Sequence, residues 1–134
     1  MLLVDGNGLP LGAEIHSASP AEVTLIESLL DKSVLKNRKP ERLIYDKAAD
    51  SDPLRSRLWW ERAIELVCPH RSGRKKKATQ DGRSLRRFRK RWKIERTFAW
   101  LQNFRRLVVR YEYHAHLFLG FVQLACMYTT IQRF

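Results

Sequence analysis

Apolar and polar positions along the 134-residue chain alternate, cluster and recur in a way that predicts mixed α/β structure. Leu2, Leu3 and Val4 form a short apolar run closed by Asp5-Gly6-Asn7-Gly8, residue types that favour tight turns. Leu11, Ala13 and Ile15 then alternate with Gly12, Glu14 and His16, the period of a half-buried strand, so the two segments predict an antiparallel hairpin. Ser19, Pro20 and Glu22 have the pattern of an N-cap, a first-turn proline and the closing residue of a capping box. The predicted helix buries Val23, Ile26, Leu29 and Leu30 and ends near Ser33.

Leu43-Ile44-Tyr45 is a continuous apolar run ending on Asp46, the pattern of a covered strand paired in parallel. Asp52 as N-cap and Pro53 open a helix through Leu54, Leu58 and Ala63, and Ile64-Glu65-Leu66-Val67-Cys68 is a further strand stopped by Pro69. Strand, helix and strand in that order predict a right-handed βαβ unit. Trp59 and Trp60 adjoin on the helix and so take different faces, one buried and one on the surface. A long basic helix is expected from about Ser84, and a mostly apolar helix over residues 115–132, hydrophobic on most sides and packed among its neighbours. The chain thereby divides into a sheet-and-helix part at 1–68, a basic loop at 69–83 and a helical part at 84–134.

Charge changes the picture. The formal net charge is +12, from 26 Lys and Arg against 14 Asp and Glu. Residues 71–110 hold 16 of the cations and only two acids, Asp81 and Glu95, a local net of +14; the rest of the chain carries −2. Concentrated positive charge interleaved with Phe88, Trp92, Phe98, Trp100 and Phe104 is the footprint of a polyanion partner, above all nucleic acid, although basic runs alone also serve as solvated helix faces. Two cysteines do not make a disulfide scaffold and favour a reducing cytosol. The N-terminus lacks the basic region of a signal peptide, and the apolar stretch 117–131 is too short to span a bilayer.

Two carboxylates stand out. Asp46 ends a buried strand, where open α/β sheets place ligands; the plainer reading is a cap or a surface acid. Glu95 lies inside the basic helix on a face with Phe88, Trp92, Ala99 and Gln102, one turn after Arg91. It is either half of an Arg91–Glu95 ion pair or, with Asp46, a ligand to a hard cation such as Mg²⁺ amid a phosphate-binding surface. Cys68 and His70 flank Pro69, and His114 and His116 lie two apart, without the four-ligand spacing of a zinc finger. Asp5 sits in the Gly-rich turn, where its side chain is expected to organise the bend.

The run RWKIERTFAWLQNFRRL, residues 91–107, resembles the catalytic-glutamate helix of bacterial insertion-sequence transposases with an RNase H-like DDE domain. LIYDKAADSDPLR at 43–55 is similar to that family's second-aspartate strand and following helix, and VDGNGLPLGAEIHSAS and RYEYHAHLFLGFVQLACMYTTIQRF also fit, so the resemblance covers nearly the whole chain. It implies an α/β, RNase H-like fold in which Asp46 is the second metal-binding aspartate and Glu95 the third acid, with Mg²⁺ or Mn²⁺ as cofactor. Arg91 matches the arginine of the related tyrosine, arginine, glutamate and lysine signature, whereas Phe88 stands at the tyrosine position, Gln102 at the lysine position, and Ala49 where an aromatic is common.

The family's first aspartate would lie on a strand upstream of the hairpin, so the expected fold is incomplete, with that strand absent. The resemblance then implies half of a split enzyme, completed by an upstream-frame polypeptide, or a truncated copy. The activity implied is metal-dependent cleavage and strand transfer at transposon ends and target DNA, in a bacterial, nucleoid-associated protein; the alternative is a DNA- or RNA-binding module without catalysis. Residues expected to hold phosphates are Arg71, Arg74, Lys75, Lys76, Lys77, Arg86, Arg87, Arg89, Arg91, Lys93, Arg96, Arg105 and Arg106. The sheet edge left by an absent strand would favour pairing with another chain, including a second copy.

Overall fold

A computed structural model describes residues 1–75 and 82–133. The chain resolves into two compact units. One comprises Met1–Pro20, Ile26–Val34 and Trp92–Phe134; the other comprises Ala21–Leu25 and Leu35–Arg91.

The first unit opens with the predicted hairpin. Strand β1 (Leu2–Val4) pairs antiparallel with β2 (Pro10–Ala13), Leu2 opposite Ala13, and the register shifts between Leu3 and Val4. Asp5 organises the turn as its sequence suggests: Oδ1 accepts the amides of Asn7 and Leu9, each at 2.8 Å. Helix α1 (Glu22–Asp31) contributes Ile26 and Leu29 to the core of this unit. The helix begins at Glu22 rather than Pro20 because residues 18–20 bend, and Ala21 supplies the carbonyl that takes the Thr24 amide and hydroxyl.

The predicted long basic helix is broken. Helix α3 (Gly82–Arg86) gives way to a 3₁₀ segment, Arg87–Arg91, before α4 (Trp92–Leu101) begins. Residues 86–91 read RRFRKR, so every i,i+4 pair among them joins two cations and opposes α-helical winding. A four-residue helix α5 (Arg105–Val108) follows, then α6 (Ala115–Ile131). Helix α6 packs on β2, α4 and α5, yet buries only Ala125 and Thr129. Leu117, Leu124, Met127 and Ile131 are exposed, so the expectation of a helix covered on most sides is corrected: the described neighbours occupy one flank.

The second unit contains the expected strand-helix-strand. Strands β3 (Arg42–Ile44) and β4 (Glu65–Val67) pair in parallel, Leu43 opposite Leu66, joined through a 3₁₀ turn (Lys47–Ala49) and helix α2 (Asp52–Arg62). The core is Leu43, Ala49, Leu54, Leu58, Ile64, Leu66, Val67 and Cys68. Ser51, one residue before the predicted Asp52, is the N-cap of α2; its Oγ accepts the Leu54 amide at 3.4 Å. The helix stops at Ala63, whose φ of 56° is left-handed and whose amide reaches the carbonyls of Leu58 and Trp59. Both Trp59 and Trp60 are exposed, correcting the expectation that one is buried. The buried stripe of α2 is Leu54 and Leu58, and the next two positions turn roughly 100° and 200° away from it.

The two pairs of strands form separate two-stranded sheets among the described residues. No helix in them is long and apolar enough to cross a membrane.

Candidate nucleic-acid interface and acidic residues

Asp46 follows β3 directly, at its C-terminal end. Its carboxylate is exposed and caps the 3₁₀ turn, Oδ1 accepting the Ala48 amide at 2.8 Å. Strand and cap together fix its place: the apolar run is drawn into the sheet, and the first polar residue turns the chain. Beside it, Tyr45 donates to Glu22 at 3.0 Å; burial and that carboxylate raise the phenol's pKa well above its usual value.

Four residues on, Asp50 is the centre of a knot that the sequence did not reveal. Its side chain is only 3% exposed. Oδ1 meets His70 Nδ1 at 2.8 Å, Arg55 Nη2 at 3.3 Å and Arg74 Nη1 at 3.5 Å, while Oδ2 accepts the Arg71 amide at 2.8 Å. Burial alone would raise the pKa of this carboxyl; the bonds from Arg71, His70 and Arg55 outweigh it and hold the group at about 2. Asp52 takes the other nitrogen of Arg74 through both oxygens, at 2.8 and 2.9 Å, and Arg55 Nη1 at 3.0 Å. Arg71 further donates to the carbonyls of Lys47 and Ala48, at 3.1 and 3.0 Å. Arg55 also approaches Cys68 Sγ at 3.4 Å, whose thiol burial pushes up.

The expected phosphate-binding residues therefore fall into groups. Arg71 and Arg74 are engaged within the knot, tying the start of the basic loop to the residues after Asp46. Lys75 is exposed; Lys76 and Lys77 lie outside the described residues. Arg86, Arg87 and Arg89 are exposed, and Arg91 lies with its guanidinium 5.5 Å from the Phe88 ring. The signal for the knot was legible only as composition: three aspartates within seven residues, at 46, 50 and 52, ahead of a basic loop.

In the first unit Glu95 is exposed on α4. The same helix grips the hairpin turn. Lys93 Nζ donates to the Gly6 carbonyl, Arg96 Nη2 to Asn7 at 2.6 Å, and Thr97 Oγ1 to Gly8 at 2.6 Å. Gly8 has φ +88°, and a Cβ there would meet Arg96 Nη2 and Thr97 Oγ1 at 3.1 Å, so a side chain at this position is strained and forces both groups to shift. Arg96 is stacked between Trp92 and Trp100, at 4.8 and 4.6 Å from the ring centres, and Arg133 covers Trp100 at 3.5 Å. Arg106 pairs with Glu112 at 2.9 Å and lies 5.2 Å from the Phe121 ring; Arg105 is exposed. Glu14, expected only as the polar partner in a strand alternation, is buried with its side chain 2% exposed. Burial would raise its pKa, but Lys32 at 2.6 Å, His16 at 2.8 Å and Ser28 at 2.8 Å hold it at about 2.

Asp46 and Glu95 thus belong to different units. Among the described residues, no group of three or more His, Cys, Asp or Glu side chains is placed to hold a metal ion.

The chain is 33% identical over 132 residues to a Burkholderia cepacia protein assigned as the transposase for insertion sequence element IS402, a match covering 93% of this chain. The chain spans 58% of the length of that relative. No solved structure matches. The family model described as "Transposase DDE domain" matches residues 1–130, and the chain belongs to that family.

Proposed function

We propose that the chain is a portion of the catalytic domain of an insertion-sequence transposase, which binds DNA through its basic segment and contributes Asp46 and Glu95 to a divalent-metal site. The observation that carries the reading is the position of Asp46, an exposed carboxylate at the C-terminal end of a parallel strand, within a chain matched almost throughout by the family. Arg86, Arg87 and Arg89, with Lys75 and its two lysine neighbours, hold backbone phosphates.

The donor chemistry suits Mg²⁺ or Mn²⁺, since such hard ions take one or two carboxylate oxygens and complete their shell with water and phosphate. Asp46 is exposed and uses Oδ1 to accept the Ala48 amide. An ion held by Asp46 and Glu95 would supply Lewis-acid activation of water and of a DNA 3′-hydroxyl. The full acidic set of such a site takes a further carboxylate beyond Asp46 and Glu95.

The test measures DNA affinity of the purified chain with and without Mg²⁺ across a salt series. Asp46→Ala and Glu95→Ala should abolish any Mg²⁺ dependence and leave salt-sensitive binding intact. If both variants change only the melting temperature, the metal-site reading fails and a DNA-binding module without metal chemistry remains.

A further inference from the structure

We infer that Trp59 and Trp60 on α2 form a stacking platform for the bases of an unpaired nucleic-acid strand, an inference that rests on the DNA-binding role proposed above. The four tryptophans of the chain are treated in two ways. Trp92 and Trp100 carry arginine guanidinium groups on their rings. Trp59 and Trp60 are 55% and 82% exposed, and the cation–ring pairs found among the described residues lie on other rings. Neither indole contributes to the buried stripe of its helix, which is Leu54 and Leu58. Two adjacent bare indoles are an expensive surface to leave in water, because tryptophan is on average among the most buried side chains.

The surroundings select the occupant. The unit that carries the pair holds 19 Lys and Arg against 8 Asp and Glu, a net +11, which attracts a polyanion and opposes association with a second copy. Arg57 lies three residues before Trp60 and Arg62 three after Trp59, the spacing at which helix side chains are surface neighbours. An aromatic face with a cation one turn away matches the repeat of a single strand, base on ring and phosphate beside guanidinium. Bases inside a duplex have both faces occupied by their neighbours, so the platform favours unpaired nucleotides, such as strand ends or locally opened DNA.

The experiment uses the full chain and three labelled ligands: a thymidine strand of about 16 nucleotides, an abasic strand with the same number of phosphates, and a blunt duplex. The Trp59→Ala/Trp60→Ala variant should bind the thymidine strand at least about fivefold more weakly, with abasic-strand and duplex affinities unchanged. Trp59→Phe/Trp60→Phe should restore most of the loss, and wild-type tryptophan emission, quenched by thymidine but not by the abasic strand, should lose that response in the phenylalanine variant. Should the alanine variant melt early, the phenylalanine variant and the quenching decide alone. Equal weakening on the abasic strand, or unchanged thymidine binding and quenching, overturns the platform while leaving DNA binding standing. Failure of the wild type to bind any of the three ligands overturns both.

Discussion

The two units use their cations in opposite ways. The unit of residues 21–25 and 35–91 carries a net +11; the other has 7 Lys and Arg against 6 Asp and Glu, a net +1. In the near-neutral unit, arginines act as structural side chains: Arg96 lies between two indoles and ties down a turn, and Arg106 joins Glu112 and Phe121. In the basic unit, Arg55 and Arg74 converge on two aspartates and Arg71 donates to the carbonyls of Lys47 and Ala48, while Arg86, Arg87 and Arg89 face solvent. The lesson is that an Arg-rich sequence does not by itself mark a binding surface. Local acids, rings and carbonyls claim some of its members first.

The largest expected effect falls on the knot. Asp50→Ala strands three cationic or ionisable neighbours in a buried place and should cost about 3–5 kcal/mol in urea unfolding. A neutral result would mean that the basic unit does not depend on the knot. Gly8→Ala tests the opposite unit: a left-handed φ and a Cβ 3.1 Å from two polar atoms predict a loss of about 2 kcal/mol, read from the same curves.

DNA binding should separate the units most sharply. Replacing Arg86, Arg87 and Arg89 together by Gln should flatten the slope of log affinity against log salt by up to about 2.7, since each lost phosphate contact removes about 0.9. Arg96→Gln should lower stability and leave that slope as it was. Equal slope changes in both variants would mean that the arginines of both units contact phosphate.

Acid should act on both units. Asp50 and Glu14 each have a carboxyl depressed to about 2, so each contributes stability that is complete above the unfolded value. That stability is lost as pH falls from about 4.5 to 2. Glu14→Gln should remove Glu14's share of the acid dependence and leave that of the basic unit unchanged, which thermal melts at pH 3 and pH 6 would reveal. The smallest effect is a gain. Ala63→Gly relieves a left-handed residue at the end of α2 and should stabilise by about 0.5–1 kcal/mol.

Much of this architecture was legible from periodicity and turn chemistry. The hairpin followed from Asp5-Gly6-Asn7-Gly8 between two apolar segments, and the parallel pair from Leu43-Ile44 and Leu66-Val67 flanking an amphipathic helix. What escaped was decided by interactions between distant residues or by competition within a segment. Like charges at 86–91 overrode a helical pattern, and the narrow stripe of α2 left both tryptophans outside. Of the candidate site, Asp46 and Glu95 stood out in the sequence as acids in improbable settings. Asp50 did not, because its role depends on His70, Arg71 and Arg74 returning from twenty or more residues away.

The grip of α4 on the hairpin turn has a consequence for the order of folding. Its three hydrogen bonds join residues 87 to 89 positions apart, whereas the basic unit is one nearly continuous stretch inserted between them. During synthesis at about 5–20 residues per second, the hairpin leaves the ribosome on the order of 10 s before the helix that locks it. For that interval its turn carbonyls and the space around Gly8 await their partners, while the βαβ segment can already close on itself. The hairpin strands are thus made before the basic unit yet secured after it, and a pause between codons 8 and 93 would lengthen their exposure.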